Sequence, residues 1–138
     1  MNEDWIEEMI KEHEGYGGEV YSDTEGVLTC GWGHALHVGS PVPLRASLGF
    51  FQQDIRIVME DYEKLNLYLD DVRRGVVYDM LYNLGLTKLL KFKKFLKALR
   101  EDDYEVASKE MLDSKWAIQV KGRAKKLAKM MQTGQHDG

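Results

Sequence analysis

The sequence is poor in cysteine and proline and lacks any long apolar run. With one cysteine, Cys30, the chain cannot form an internal disulfide, which excludes the disulfide-stapled scaffolds of small secreted proteins. No run of about 18 apolar residues is present, so the sequence predicts no membrane-spanning helix. The four histidines are scattered, and Cys30 has no metal-ligand neighbours. We therefore expect one small soluble domain in a reducing compartment, with no metal or cofactor.

The N-terminus also lacks the features of a secretory signal. Met1-Asn2-Glu3-Asp4 is acidic, whereas a signal begins with basic residues and continues into an apolar stretch. We expect synthesis and storage in the cytoplasm.

Charge is unevenly distributed along the chain. Residues 1–84 hold 6 basic and 16 acidic residues, a net charge of −10, whereas residues 85–131 hold 13 basic and 6 acidic residues, a net charge of +7. A basic half could bind an anionic polymer such as peptidoglycan or nucleic acid. The lysines between 88 and 97, however, favour a solvated helix face over a binding surface. No helix-turn-helix or base-stacking pattern is present, so we expect no nucleic-acid partner.

The chemistry is concentrated between Glu14 and His34, a stretch of 21 residues with six glycines. An apolar stripe before it predicts an amphipathic helix that ends near Glu14, and Gly15, Gly17 and Gly18 predict a turn. The turn-forming residues 22–26 and the apolar residues that follow them predict a β-hairpin.

This arrangement places carboxylates and a hydroxyl where they could share one cleft. Glu14 would close the helix, Asp23 would lie in the hairpin turn, and Thr29 would lie on the returning strand. Cleavage of a glycosidic bond needs one carboxylic acid and one carboxylate on opposite faces of the sugar. With 23 acidic residues in 138, such a spacing also arises by chance.

Six residues at fixed spacing resemble the active-site signature of the phage-type lysozymes, glycoside hydrolase family 24: Glu14, Asp23, Thr29, Gly31, Gly33 and His34. Shorter segments follow in the order of that family over nearly the whole chain: 51–54, 72–74, 83–85, 114–116, 123–125 and 133–134.

The resemblance implies a lysozyme-like α+β fold that is mainly helical. Its parts would be an N-terminal helix, a small β lobe, a linking helix, a helical lobe and a tail, at residues 1–13, about 14–43, about 44–66, about 67–134 and 135–138. The β lobe is shorter than is usual in the family. Together these parts would form a single lysozyme domain.

The spacing of apolar residues predicts the helices of the second half of the chain. The Asp70-Asp71 pair predicts the start of a buried central helix that ends at Gly85. Gly75 inside that helix predicts close packing of another backbone. Three shorter helices are expected around residues 92–99, 104–112 and 124–131.

The resemblance also implies a role for each site residue. Glu14 would be the acid, Asp23 would stabilise positive charge and act as base, and Thr29 would help to hold a water. Gly33, Tyr82, Asn83 and Arg123 would be substrate-binding or cleft residues. His34 and Asp54 would form an ion pair, and Arg123 would approach Glu14, where a cation opposes the retention of the proton that an acid catalyst needs.

The implied activity is hydrolysis of the β-1,4 bond between N-acetylmuramic acid and N-acetylglucosamine in peptidoglycan, with inversion. A monomeric phage or prophage endolysin, released from the cytoplasm by a holin and not stably associated with membrane, fits this reading. Three alternatives stay open: a lytic transglycosylase, a non-catalytic wall-binding virion module, and a chitin-type hydrolase.

Overall fold

The computed structural model of the protein describes residues 4–136. The chain divides into two compact units, Met1–Ser47 and Leu48–Gly138, here called the N-terminal unit and the helical unit. The first three residues of the predicted N-terminal helix and residues 137–138 of the predicted tail lie outside the described range. A mainly helical α+β architecture is confirmed, with eight helices and one three-stranded sheet between residues 4 and 136.

The N-terminal unit consists of one helix followed by an antiparallel sheet. Its elements are α1 (Asp4–Glu14), β1 (Gly17–Ser22), β2 (Leu28–Gly31) and β3 (His34–Leu36), and the strands lie in the order β1-β2-β3. Gly15 ends α1 as predicted, because it adopts a φ of +71° and donates its N–H to Lys11 O at 2.9 Å. Gly17 and Gly18 do not form the predicted turn, since both already belong to β1.

The third strand was not predicted. Gly31 and Gly33 adopt φ values of +60° and +74°, so the chain reverses around Trp32 and pairs Cys30 with His34. Glycine takes up such angles more readily than any other residue. The two glycines of the signature therefore also build a turn, which extends the hairpin into a sheet.

Helix α2 (Leu44–Lys64) agrees with the predicted linking helix at its start and ends two residues earlier than expected. The boundary between the two units falls inside it, after Ser47. Asn66 follows with a φ of 53°, a conformation that asparagine tolerates better than most residues. None of the helices between residues 4 and 136 has both the length and the apolar character needed to cross a bilayer.

The helical unit continues with six more helices: α3 (Asp71–Leu84), α4 (Leu86–Leu89), α5 (Lys93–Arg100), α6 (Tyr104–Leu112), α7 (Lys115–Val120) and α8 (Gly122–Thr133). Helices α4 and α7 were not predicted, because four and six residues are too few to show a helical period. Helix α7 is nevertheless capped, since Ser114 Oγ accepts the N–H of Ala117 at 3.1 Å.

The predicted central helix is α3, and it begins and ends where the sequence indicated. Asp70 caps it by accepting the N–H of Arg73 at 3.2 Å, and Gly85 follows its last residue with a φ of 81°. Burial opposes the charged form of Asp70, but hydrogen bonds and the positive charge of Arg73 outweigh it. The Asp70 pKa is therefore lower than its ordinary value.

The hydrophobic core lies in the helical unit. The largest side chains in it are almost fully excluded from solvent: Phe95, Met80, Leu89, Leu99, Met111, Met131, Val76 and Val77. Three of these belong to α3, which confirms its central position. Gly75, however, has no atom within 4 Å of the position that a side chain would occupy, so the predicted close packing at this glycine is wrong.

Arg73 joins the start of α3 to the end of α8. Its guanidinium donates to the carbonyl oxygens of Met131 at 2.6 Å and Gln132 at 3.1 Å, where the last turn of a helix leaves carbonyls unpaired. It also bonds to Asp70 at 3.1 Å and lies 3.6 Å from the centre of the Tyr104 ring. One partly buried side chain thus holds three segments together.

Candidate active site

Glu14 is the last residue of α1, and its carboxylate lies against the backbone of Gly33. A methyl group on Gly33 would stand 2.6 Å from Glu14 Oε2, closer than two such atoms can approach. The positive φ of Gly33 adds a second requirement for glycine. The structure therefore brings together two of the predicted site residues.

Asp23 lies in the turn between β1 and β2, where the backbone fixes its carboxylate. Its Oδ1 accepts the N–H groups of Glu25 and Val27, each at 2.8 Å, and its own N–H donates to Val27 O at 2.9 Å. This is the local geometry for which aspartate is favoured in turns. The second carboxylate oxygen, Oδ2, accepts no hydrogen bond from the described residues and lies on an exposed turn.

Thr29 lies on β2 and is only 4% exposed, the one buried residue among residues 4–47. Its hydroxyl donates to Val27 O at 2.9 Å, the same carbonyl that accepts the N–H of Asp23. Asp23 and Thr29 thus converge on one peptide group. Because its proton is committed to Val27, the Thr29 oxygen is left as an acceptor.

An aromatic pair flanks Glu14 and Gly33 in the sequence and was not predicted as part of the site. The ring centres of Tyr16 and Trp32 are 4.8 Å apart, and Lys11 Nζ lies 4.8 Å from the Trp32 ring. Trp32 immediately precedes Gly33, so the Gly31–Gly33 turn determines its position. Its place inside the glycine-rich signature was the signal that could have identified it.

His34 and Asp54 lie on different units. His34 is an exposed residue of β3 and Asp54 an exposed residue of α2. Their predicted ion pair would join the two units and stays a prediction.

Arg123 has a partner within the helical unit. Its Nη2 and Nε contact Asp79 Oδ1 at 2.6 and 2.8 Å, which links α8 to α3. Asp79 was not predicted as this partner, because 44 positions separate the two residues. The predicted approach of Arg123 to Glu14 joins residues of different units and stays a prediction.

Tyr82 and Asn83 follow Asp79 by three and four positions, so the three side chains share one face of α3. Tyr82 is 43% exposed, and its ring centre lies 5.7 Å from that of Phe51 on α2. Asn83 Oδ1 accepts the indole N–H of Trp116 at 2.9 Å. Each of the three residues is thus held by a different element of the helical unit.

The described residues offer no metal centre, since no group of three or more His, Cys, Asp or Glu side chains is close enough together between residues 4 and 136.

Comparison with known proteins gives relatives of two kinds. Two proteins of Dictyostelium discoideum, named probable T4-type lysozymes 1 and 2, are 27% and 26% identical to the chain, and each match covers 94% of both proteins. The pre-baseplate central spike protein Gp5 of Enterobacteria phage T4 is 27% identical over 92% of the chain, but the match covers only 27% of Gp5.

The family model described as phage lysozyme matches residues 11–133, a range that includes every predicted site residue. With most of its length matched in this way, the chain belongs to the phage lysozyme family.

Proposed function

We propose that this protein hydrolyses the β-1,4 bond between N-acetylmuramic acid and N-acetylglucosamine in peptidoglycan, with Glu14 as the acid. Family membership supports a lysozyme-type peptidoglycan hydrolase. The observation that carries the assignment is the contact between the Glu14 carboxylate and Gly33, because a side chain at that glycine would clash with the carboxylate. The glycine at position 33 therefore leaves room for the carboxylate of Glu14.

In this proposal Asp23 and Thr29 act on the face of the sugar opposite to Glu14. Backbone N–H groups hold one oxygen of Asp23 and leave the other on an exposed turn, suited to stabilise positive charge at the anomeric carbon. Thr29 offers a lone pair to a water, and Asp23 takes the proton of that water as it attacks. In inverting enzymes the second carboxylate activates a water, whereas in retaining enzymes it attacks the sugar itself. Because Thr29 could hold such a water beside Asp23, we propose inversion.

The chain's own residues complete the mechanism that we propose. Glu14 donates its proton to the leaving oxygen, and the attacking water loses its proton to Asp23. The substrate-facing positions of the helical unit would be Tyr82, Asn83 and Arg123. No metal or cofactor takes part in any of these steps.

The biological role that we propose is lysis of a bacterial host by a phage or prophage endolysin. Storage in the host cytoplasm, release by a holin and action as a monomer belong to this proposal. Relatives from a cellular organism and from a virion spike show that the family also serves other settings. The test of this role is expression in a bacterium with and without a co-expressed holin, where lysis only with the holin supports it.

The activity is tested by incubating purified peptidoglycan with the wild type and with Glu14→Gln. We expect the wild type to release reducing ends and Glu14→Gln to lose at least about 10³-fold in rate, within the range for removal of a general acid. Proton NMR of the first product anomer then distinguishes inversion from retention. Circular dichroism checks that both proteins are folded.

The matched control is Glu12→Gln, which removes an exposed carboxylate from the same helix. It should retain the wild-type rate. Release of anhydro ends instead of reducing ends would identify a lytic transglycosylase, whereas binding of peptidoglycan without cleavage would identify a wall-binding module. Faster cleavage of chitin than of peptidoglycan would favour a chitin-type hydrolase.

A further inference from the structure

Tyr16 is an exposed aromatic residue that packs on Trp32, close to the proposed acid in the sequence. Its side chain is 68% exposed, whereas that of Trp32 is 48% exposed, and the two rings meet at an angle of 55°. Lys11 Nζ contacts the Trp32 ring as well, so the indole is held by a second neighbour. Trp32 therefore supports the Tyr16 ring, and Tyr16 presents the larger open surface.

The segment that supports this ring also contacts the acid. Trp32 packs on Tyr16, and the next residue, Gly33, lies against the carboxylate of Glu14. Tyr16 follows Glu14 by two positions, across the helix-ending Gly15 with its φ of +71°. Two adjacent residues of one turn thus contact two side chains of the segment opposite. The backbone therefore determines where the Tyr16 ring lies relative to the Glu14 carboxylate.

The charge around Tyr16 favours an uncharged ligand. Residues 1–47 hold nine acidic and two basic residues, a net charge of −7, so an anionic group would be repelled. The face of an aromatic ring is weakly negative and attracts C–H bonds. A β-linked N-acetylhexosamine ring carries its substituents around its rim and presents C–H bonds on its faces. Such a ring therefore matches the exposed surface of Tyr16 in both shape and charge.

We propose that Tyr16 is a substrate-binding residue that stacks against an N-acetylhexosamine ring of the glycan, beside the bond that Glu14 protonates. This inference rests on the proposed function, because it assigns a sugar-binding role next to the same acid. All the residues that form this binding surface belong to the N-terminal unit. Stacking does not touch the reacting atoms and is equally strong before and during the reaction, so it lowers KM and leaves kcat unchanged.

The first test measures the kinetics of Tyr16→Ala on peptide-free glycan strands prepared from peptidoglycan. We expect KM to rise about ten-fold, the size of one lost stacking contact, and kcat to change less than about two-fold. The pH profile of kcat should keep its wild-type shape, because Glu14 remains against Gly33. Tyr16→Phe keeps the ring and should restore the wild-type KM. Circular dichroism checks that both variants are folded.

The second test measures binding without turnover. Glu14→Gln is titrated with chitin oligosaccharides, which contain only N-acetylglucosamine, and with peptide-free glycan, which alternates this sugar with N-acetylmuramic acid. The ring ¹H–¹³C signals of Tyr16 are followed by NMR. Shifts with both ligands would identify N-acetylglucosamine as the stacked sugar, and shifts with the glycan alone would identify N-acetylmuramic acid. No shift with either ligand would overturn the inference.

The matched control is Tyr68→Ala, the same change at a tyrosine of the helical unit that is 93% exposed. It should keep the wild-type KM. Equal KM values for Tyr16→Ala and Tyr68→Ala, with an active wild type, would overturn this inference and leave the proposed function intact. A fall in kcat at unchanged KM in Tyr16→Ala would mean that the ring only holds Glu14 in place, which also contradicts it. An inactive wild type would overturn the proposed function and this inference with it.

Discussion

The two units differ in what they contribute, since the proposed catalytic residues lie in one and the hydrophobic core lies in the other. The N-terminal unit carries Glu14, Asp23 and Thr29, and Thr29 is its one buried residue among residues 4–47. The helical unit contains every residue of the hydrophobic core, from Val58 to Met131. Charge follows the same division, because residues 1–47 hold nine acidic and two basic residues, a net charge of −7, whereas residues 48–138 carry +3.

This contrast shows that the predicted catalytic residues do not depend on a core of their own. In the N-terminal unit, side chains are positioned by turns, by glycines with positive φ and by hydrogen bonds to the backbone. In the helical unit, burial of apolar surface supplies most of the stabilisation. Substitutions in the first unit should therefore change activity at nearly constant stability, and those in the second should do the opposite.

The largest effect that tests this division is expected at Gly33. In Gly33→Ala the new methyl group meets Glu14 Oε2, and the carboxylate can turn away because it is the end of a flexible side chain. Displacement of a catalytic group by about 1 Å can cost about 10²-fold in rate. We expect such a loss in peptidoglycan hydrolysis, with the midpoint of thermal unfolding lowered by only a few degrees through backbone strain.

Gly39→Ala is the control for backbone strain. Gly39 also lies in the N-terminal unit with a positive φ, +89°, but nothing lies within 4 Å of its side-chain position. Its rate of hydrolysis should equal that of the wild type. A similar loss of rate in both variants would mean that strain, and not the Glu14 contact, lowers activity.

The second prediction concerns stability and Arg73. Arg73→Met removes the bonds to the carbonyls of Met131 and Gln132 and leaves Asp70 without its cation. We expect the free energy of unfolding to fall by about 2 kcal/mol, as is typical when bonds from a partly buried charged group are lost. Urea denaturation followed by circular dichroism measures it.

The neighbouring Arg74→Met serves as the matched control. Arg74 pairs with the exposed Asp71 at 3.0 Å, and exposed pairs contribute less than about 1 kcal/mol. The hydrolysis rate of both variants should match that of the wild type under conditions where they are folded. Equal destabilisation by the two substitutions would show that Arg73 does not hold α3 to α8.

The smallest predicted effect is a gain in stability at Gly75. The position lies within α3 and has open space around it, so Gly75→Ala should stabilise the helical unit by about 0.5–1 kcal/mol through helix propensity. Activity should not change. Gly85→Ala is the opposite case, because Gly85 has a φ of 81° that alanine adopts only with strain, and it should lower the free energy of unfolding.

Local patterns predicted much of this molecule. The starts of α2 and α3, the glycine at the end of α1 and the buried face of α3 all agree with the structure, because capping residues and a helical apolar period act within one or two turns of chain. The signature at Glu14–His34 likewise indicated the family that the comparison with known proteins confirms. The short helices α4 and α7 and the strand β3 were missed, since each is too short to show a period of its own.

Some contacts of individual side chains were not predicted correctly from the sequence. Gly75 was expected to lie against another backbone and instead faces open space, and the pairing of Arg123 with Asp79 was not predicted. Sequence gave no signal for either outcome, because the two ends of such contacts lie tens of residues apart.

By itself, the sequence determined the family, the helical class and the three residues proposed for catalysis, because these depend on residue types at short, fixed spacing. Only the tertiary structure decided that Glu14 lies on Gly33, that Asp23 and Thr29 share the carbonyl of Val27, and that Trp116 donates a hydrogen bond to Asn83. A hydrogen bond or a close contact depends on distances of a few ångströms between atoms, and only the folded backbone sets those distances.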